Sequence, residues 1–325
     1  MPDRKYTGPF APLCEEFVAQ KRTVGCRYVE EARCLWHFDQ YAVRQGVSGE
    51  KLPKELVTGW AEKSPYEADK SWRNRLSAVR LFAAYLNSVG IEAYVLPPSR
   101  KRKTQEYIPY IFTDDEIHRL FEAADKMEYL PASPYAHIVF PVLVRMLYGC
   151  GLRISEACKL RVRDVDLKNG VLTIWQSKNG NSRLTPMSDS LVAACRDYAN
   201  AMPAPKSEDA PFFPTRFGGA YGQRGPYHQF RIMLKRAGIS HGGRGKGPRL
   251  HDFRHTFAVH AMRQLVRNGK SLYVTSPILS AYLGHQSLSA TQKYLRLTAD
   301  VYPEVVRKFE AGFGGVVPEV LHEAD

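Results

Sequence analysis

A proline pair followed by a run of cations divides this chain in two. Pro97 and Pro98 stiffen the backbone, and residues 99–104, SRKRKT, hold basic side chains that cannot be buried. An interdomain linker is therefore expected over 97–107, between domains at 1–96 and 108–325. A length of 325 residues is enough for two separate cores. Arg100, Lys101, Arg102 and Lys103 read either as a solvated tether or as a strap along the phosphates of a polyanion. The strap is favoured because the segment joins two basic halves.

The first half reads as four amphipathic helices. Phe10, Leu13, Phe17 and Val18 share one face. Tyr28, Leu35, Phe38 and Tyr41 form a second set that closes at Gly46. Pro53 opens a third helix with Leu56, Val57 and Trp60, and Trp72, Leu76, Val79, Leu81, Phe82 and Tyr85 form a fourth that closes at Gly90. Four such helices with short connections make a small bundle. In the second half, Thr113 is expected to cap a helix that begins with Asp114, Asp115 and Glu116. An apolar helix is expected over 138–147, and a strand-rich patch over 164–187 with turns at Lys168-Asn169-Gly170 and Asn179-Gly180-Asn181. Val171, Thr173 and Trp175 alternate with their neighbours at the period of a half-exposed strand. Helices follow at 189–201, 224–237, 252–267, 274–283, 288–297 and 302–311. The expected fold is mainly α (α+β): a helical bundle, then a mixed, mostly helical domain with a small antiparallel sheet.

Charge narrows the class of partner. Lys and Arg number 46 against 33 Asp and Glu, a formal net charge of +13, which favours polyanions and above all nucleic acid. The six cysteines, at 14, 26, 34, 150, 158 and 195, form no CxxC pair, so a zinc ribbon is not expected. No apolar leader follows Met1 and no 18-residue apolar run occurs. The reading is a cytoplasmic protein, not a membrane one, with reduced, mostly core-filling thiols.

Three short segments carry the chemistry: GCGLRISE at 149–156, HDFRH at 251–255 and LGHQSLSATQKYL at 283–295. Arg153 opens a helix carrying Glu156 and Leu160, and Arg254 sits on an apolar-backed helix with Phe253, Phe257 and Val259. A guanidinium grips two phosphate oxygens at once, and two on one phosphate would neutralise a pentacoordinate transition state without metal. Tyr294 lies nine positions after His285 and is the candidate nucleophile among 18 tyrosines. A phenol has a reference pKa near 10, so it needs the arginines' field or a local base. His251 and His255 have the i,i+4 spacing of a metal pair, but Asp252 stands where a zinc protease needs Glu and Arg254 would repel the cation. No metal and no cofactor are expected. The loop HGGRGKGPR at 241–249 lacks the GKS/T ending of a nucleotide-binding loop; Arg244 and Lys246 in it are candidate DNA contacts.

GLRISE, a lysine on a β-turn, HDFRH, and LGH with a tyrosine nine residues on together resemble the tyrosine recombinase (phage integrase) family over nearly the whole chain. The resemblance implies a core-binding bundle at 1–96 and a catalytic domain at 108–325. It implies that Arg153 and Arg254 bind the scissile phosphate, and that Lys178 of SKNGNSR protonates the leaving 5′ oxygen, with Lys168 as the rival donor. His251 would assist proton transfer, His285 would hydrogen-bond the phosphate, and Glu156 would orient the basic residues. Tyr294 would form a 3′-phosphotyrosine bond that stores the phosphodiester's energy, so resealing needs no ATP. The implied partners are double-stranded recombination sites, three further copies of the chain in a synaptic tetramer, and related recombinases or accessory proteins as further candidates. The implied role is integration, excision or inversion of a mobile element. The helix at 302–311 is expected to dock either on its own subunit or on a neighbour. A retired scaffold acting as a DNA-binding regulator and a type IB topoisomerase are the alternatives.

Overall fold

The computed structural model describes residues 5–98, 108–175, 182–222, 224–243, 247–270 and 272–284, with Tyr294 and Leu297; for 272–275 only the backbone is described. The chain forms two compact units, Met1–Glu106 and Tyr107–Asp325.

The first unit contains α1 (Ala11–Thr23), α2 (Val29–Arg44), α3 (Lys54–Ala61) and α4 (Asp69–Ser88). All four expected helices form, and α2 and α4 end two residues before Gly46 and Gly90. Phe10, Phe17, Leu35, Phe38, Val57, Phe82 and Leu86 are buried together. Phe10 meets Phe82 edge-on at 6.2 Å and stacks on Phe38 at 6.5 Å, and Phe17 meets Tyr85 tilted at 5.1 Å. One residue departs from the expected face: Leu81 is 47% exposed. Successive helical side chains are turned by about 100°, so Val79 and Phe82 point inward while Leu81 between them does not.

An unanticipated anchor in this unit is Asp39. It is fully buried on α2, and its carboxylate accepts the backbone N–H groups of Thr7 (3.2 Å), Gly8 (2.7 Å) and Phe10 (3.2 Å). This ties the segment leading into α1 onto α2, and Gly8 fits because a Cβ there would lie 2.4 Å from an Asp39 oxygen.

The second unit opens with α5 (Asp114–Asp125), where Thr113 and Glu116 make a reciprocal capping box. It continues through α6 (Ala136–Gly149), the single-turn α7 (Ile154–Ala157), β1 (Val165–Asp166), β2 (Val171–Ile174), β3 (Arg183–Pro186), α8 (Asp189–Ala201), α9 (Arg224–Arg236), α10 (Asp252–Arg267) and α11 (Leu272–Leu283). The sheet is antiparallel in the order β1-β2-β3, with Leu172 opposite Thr185 and Thr173 opposite Leu184. Leu172 and Ile174 face the core, which leaves Val171 and Thr173 half-buried and Trp175 exposed. α7 is shorter than expected. It ends at Ala157, so Leu160 lies beyond it, still buried but just after a turn, with a carbonyl that accepts the Phe212 N–H. In the core of this unit Phe112 stacks on Phe253 and Phe230 meets both edge-on, linking the segment before α5 to α9 and α10.

Cys14, Cys150, Cys158 and Cys195 are buried, Cys34 is half-buried and Cys26 is exposed; all six are free thiols. No helix among the described residues is long and apolar enough to cross a membrane. The expected helix 302–311, the turn 179–181 and Arg100, Lys101, Arg102 and Lys103 lie outside the described residues.

Removing the Asp39 carboxylate leaves three backbone donors to find other partners. Asp39→Ala should therefore lower unfolding stability by roughly 2–3 kcal/mol. Asp39→Asn, which keeps an acceptor oxygen, should cost less. Urea denaturation followed by circular dichroism measures both.

Candidate active site

The site is built where α6 ends, α7 begins, and α10 passes beneath them. Gly151 makes the turn possible. Its φ is +57°, and a Cβ would lie 2.6 Å from a Phe257 ring carbon and 2.9 Å from a Leu283 methyl. That close approach lets the Gly151 carbonyl accept Arg254 Nη1 at 2.7 Å. Arg254, on the inner face of α10, is 1% exposed. Its Nη2 donates to the Leu283 carbonyl at 2.5 Å, capping the end of α11. Burying a guanidinium costs heavily unless it is paired, and here two carbonyls supply partners while the Glu156 carboxylate stands 4.0 Å away. Burial, then the neighbouring Arg153 charge, lowers the Arg254 pKa to about 10, so it stays a cation at neutral pH.

Glu156 is the hub. Arg153 donates to it twice, from its backbone N–H (2.9 Å) and from Nη1 (2.7 Å), which closes the first turn of α7. Arg183, at the start of β3, donates Nη1 and Nη2 to the two Glu156 oxygens at 3.2 and 3.0 Å. Arg183 Nε also donates to the Tyr282 carbonyl at 3.0 Å, so one side chain joins the sheet, α7 and α11. Burial alone would raise the Glu156 pKa. The Arg183 hydrogen bonds, the Arg153 backbone N–H and the Arg183 charge outweigh it and hold the carboxyl down at about 2.

Tyr294 completes the cluster. It is 3% exposed and packs with Val259, Met262, Leu279, Leu283 and Leu297. Its hydroxyl lies 3.1 Å from His255 Nδ1, with the two ring centres 5.6 Å apart. Burial raises the phenol's pKa; the charge and hydrogen bond of Arg254 and the charge of Arg153 pull the other way without cancelling it. His251, at the mouth of α10, is exposed, and its ring meets that of His255 edge-on at 4.8 Å. Asp252 is fully buried and caps the entry to α10 by accepting the Arg249 N–H at 2.8 Å. Among the described residues no group of three or more His, Cys, Asp or Glu is placed to hold a metal ion.

The fold thus gathers Arg153, Glu156, Arg254 and Tyr294, with His251 reaching the cluster through His255. Lys178, His285, Arg244 and Lys246 lie outside the described residues. Two members were not singled out as site residues from the sequence. Arg183 reads there as an ordinary strand-edge cation, and its burial becomes apparent only once Glu156 is opposite it. His255 reads there only as half of a metal spacing.

Residues 111–300 match the model of the phage integrase family. The chain belongs to that family, the tyrosine recombinases, which break and rejoin DNA. It is 32% identical over 299 residues to the putative integrase/recombinase y4rE of Sinorhizobium fredii, covering 88% of this chain and 91% of that protein. It is also 32% identical over 231 residues to the tyrosine recombinase XerC of Xanthomonas axonopodis pv. citri, covering 70% of this chain and 68% of that protein. Among solved structures, the fold is similar to that of the XerH site-specific recombinase bound to a palindromic difH substrate. That match has a TM-score of 0.61 at 18% identity, over 91% of this chain and 84% of the other. The Tn1549 transposon integrase in complex with a circular intermediate DNA gives a TM-score of 0.61 at 17% identity, over 87% and 94%. The mainly helical recombinase fold with its small antiparallel sheet is the one expected from the sequence.

The low Glu156 pKa has a consequence for acid stability. A carboxyl depressed from 4.5 to about 2 contributes stability that is fully present above pH 4.5 and is lost as pH falls towards 2. Between pH 6 and 3 the recombinase should therefore lose more stability than its Glu156→Gln variant does. Arg183→Met, which removes the largest depressing partner, brings the folded pKa back towards 4.5 and should shrink the loss over that range. Urea midpoints across that range give the comparison.

Proposed function

We propose that this recombinase cuts and rejoins DNA at a specific site through a covalent bond between Tyr294 and a 3′ phosphate. The observation that carries the reading is the buried Tyr294 hydroxyl set against the Arg254 guanidinium, with Arg153 held beside it on Glu156. Arg153 and Arg254 take the two non-bridging oxygens of the scissile phosphate and offset the charge of the pentacoordinate transition state. Tyr294 attacks in line, and the 5′ oxygen leaves with a proton from Lys178. His251 assists proton movement and His285 donates a hydrogen bond to the phosphate. The reading assigns no metal and no cofactor. Two permanent cations supply the charge, and the phosphotyrosine bond conserves the energy for resealing.

The bundle at 1–96 serves as the core-binding domain and residues 108–325 as the catalytic domain, with Arg100, Lys101, Arg102 and Lys103 of the 97–107 linker lying along the DNA backbone. Arg244 and Lys246 add phosphate contacts. The net charge of +13 supports this, because each neutralised phosphate releases counterions. The working form is a homotetramer on two double-stranded sites in the cytoplasm. It acts in integration, excision or inversion of a mobile element, and related recombinases or accessory proteins are further candidate partners.

Three variants test the assignment. Tyr294→Phe should bind DNA as wild type does yet form no SDS-stable adduct on a nicked suicide substrate; a persisting adduct would contradict the nucleophile. Arg254→Lys keeps the charge but loses the fork, and cleavage should fall by about 10²-fold or more. Lys178→Ala should cleave ordinary DNA poorly but a bridging 5′-phosphorothiolate nearly normally, because a thiolate leaves without protonation. Equal defects on both substrates would pass the proton role to Lys168 or another donor. A catalytically retired regulator would bind DNA and show no adduct in the wild type.

A further inference from the structure

We propose that His255 is the base that takes the proton from Tyr294 as its oxygen attacks phosphorus. This rests on Tyr294 being the nucleophile. It assigns a catalytic task to a residue that the sequence offers only as half of a histidine pair.

The geometry is direct. His255 Nδ1 lies 3.1 Å from the Tyr294 hydroxyl, within reach for proton transfer. Arg254 and His255 are adjacent on α10, so their side chains diverge by about 100° and a hydroxyl lying between them can meet both. One neighbour supplies positive charge and the other supplies a lone pair. With the ring proton on Nε2, Nδ1 is the acceptor.

The surroundings make a base necessary. Burial holds the Tyr294 phenol in its protonated form. Arg254 and Arg153 oppose that, but a phosphate entering the site brings negative charge that offsets theirs. The phenol would then be harder to ionise just as it must attack.

The other described groups facing the pair do not suit the task. Arg153, Arg183 and Arg254 are cations with no lone pair to offer. Glu156 already accepts from Arg153 and Arg183, and at a pKa of about 2 it is a weak base. From α11, the Tyr282 hydroxyl donates to the Pro186 carbonyl. From α6, Tyr148 pairs with His260, further along α10. His251 touches His255 edge-on and is exposed, so it provides a route from the half-buried imidazole to water.

The step balances. The Tyr294 O–H bond breaks and its proton moves to Nδ1. The phenolic oxygen bonds to phosphorus, and the bond from phosphorus to the 5′ oxygen breaks with its electron pair on that oxygen. Lys178 protonates that oxygen. On rejoining, the 5′ hydroxyl gives its proton back to Lys178 as its oxygen bonds to phosphorus, the bond from phosphorus to the Tyr294 oxygen breaks with its electron pair on that oxygen, and the His255 imidazolium returns its proton there.

The test is single-turnover adduct formation on a nicked suicide substrate from pH 5 to 9. Wild type should accelerate with pH and reach a plateau within the range in which imidazoles titrate. His255→Gln keeps a hydrogen-bonding side chain but no base. It should be slower by about 10²-fold, lose the acid limb, and bind DNA within twofold of wild type. His255→Ala should recover part of its rate with added imidazole. If His255→Gln does not fold, His255→Asn, whose amide sits near the Nδ1 position, carries the same comparison. The proposal is overturned if the folded variant cleaves within threefold of wild type with the same pH profile. It is also overturned if His251→Gln loses the acid limb and His255→Gln keeps it. Failure of the nucleophile assignment registers separately, as an adduct formed by Tyr294→Phe.

Discussion

One buried carboxylate organises this site. Glu156 accepts hydrogen bonds from Arg153 and Arg183 and stands 4.0 Å from Arg254. Three guanidinium groups at such range would repel one another in a dry pocket; a single negative charge among them makes the cluster tolerable. The arrangement is also asymmetric. Glu156 saturates Arg183 between itself and the Tyr282 carbonyl, whereas Arg254 is anchored mainly to carbonyls, so its charge remains only partly neutralised. The surplus positive charge points towards Tyr294.

The same contacts explain how distant pieces of sequence meet. Arg183 brings β3 to α7 and α11, Arg254 brings α10 to the turn at Gly151 and to Leu283, and Tyr294 packs into the pocket between α10 and α11. Polar bonds set the orientation, while Phe253, Val259 and Leu283 supply the packing beneath. Preorganisation of this kind fixes dipoles and charges before any substrate arrives, which is where most electrostatic catalysis originates.

Much of this was legible in the sequence because it is local. Thr113 and Glu116 form a capping box from spacing alone, and the boundaries of α8 and α10 follow from the apolar period. The spacing of Arg153 and Glu156 places both at the first turn of α7. What was not legible depends on partners far along the chain. Asp39 reads as one acid on a helix until three N–H groups from residues 7–10 fold onto it. Arg183 becomes a buried bridge only through Glu156, 27 positions earlier. His255 has the i,i+4 spacing of a metal pair with His251, which Asp252 and Arg254 argue against, and only the placement of Tyr294 gives its Nδ1 a partner. Leu160 is expected on the helix that Arg153 opens, but α7 stops at Ala157 and Leu160 is buried beyond the turn that follows it.

The central claim is that Tyr294 joins DNA covalently through a 3′ phosphate. Mass spectrometry of the adduct trapped on a suicide substrate, after proteolysis and nuclease digestion, tests it most directly. One nucleotide-bearing peptide is expected, modified on Tyr294, with the phosphate linked to the 3′ carbon and a free 5′ hydroxyl on the departing strand. A nucleotide on another tyrosine, or a 5′-phosphate linkage, would contradict it.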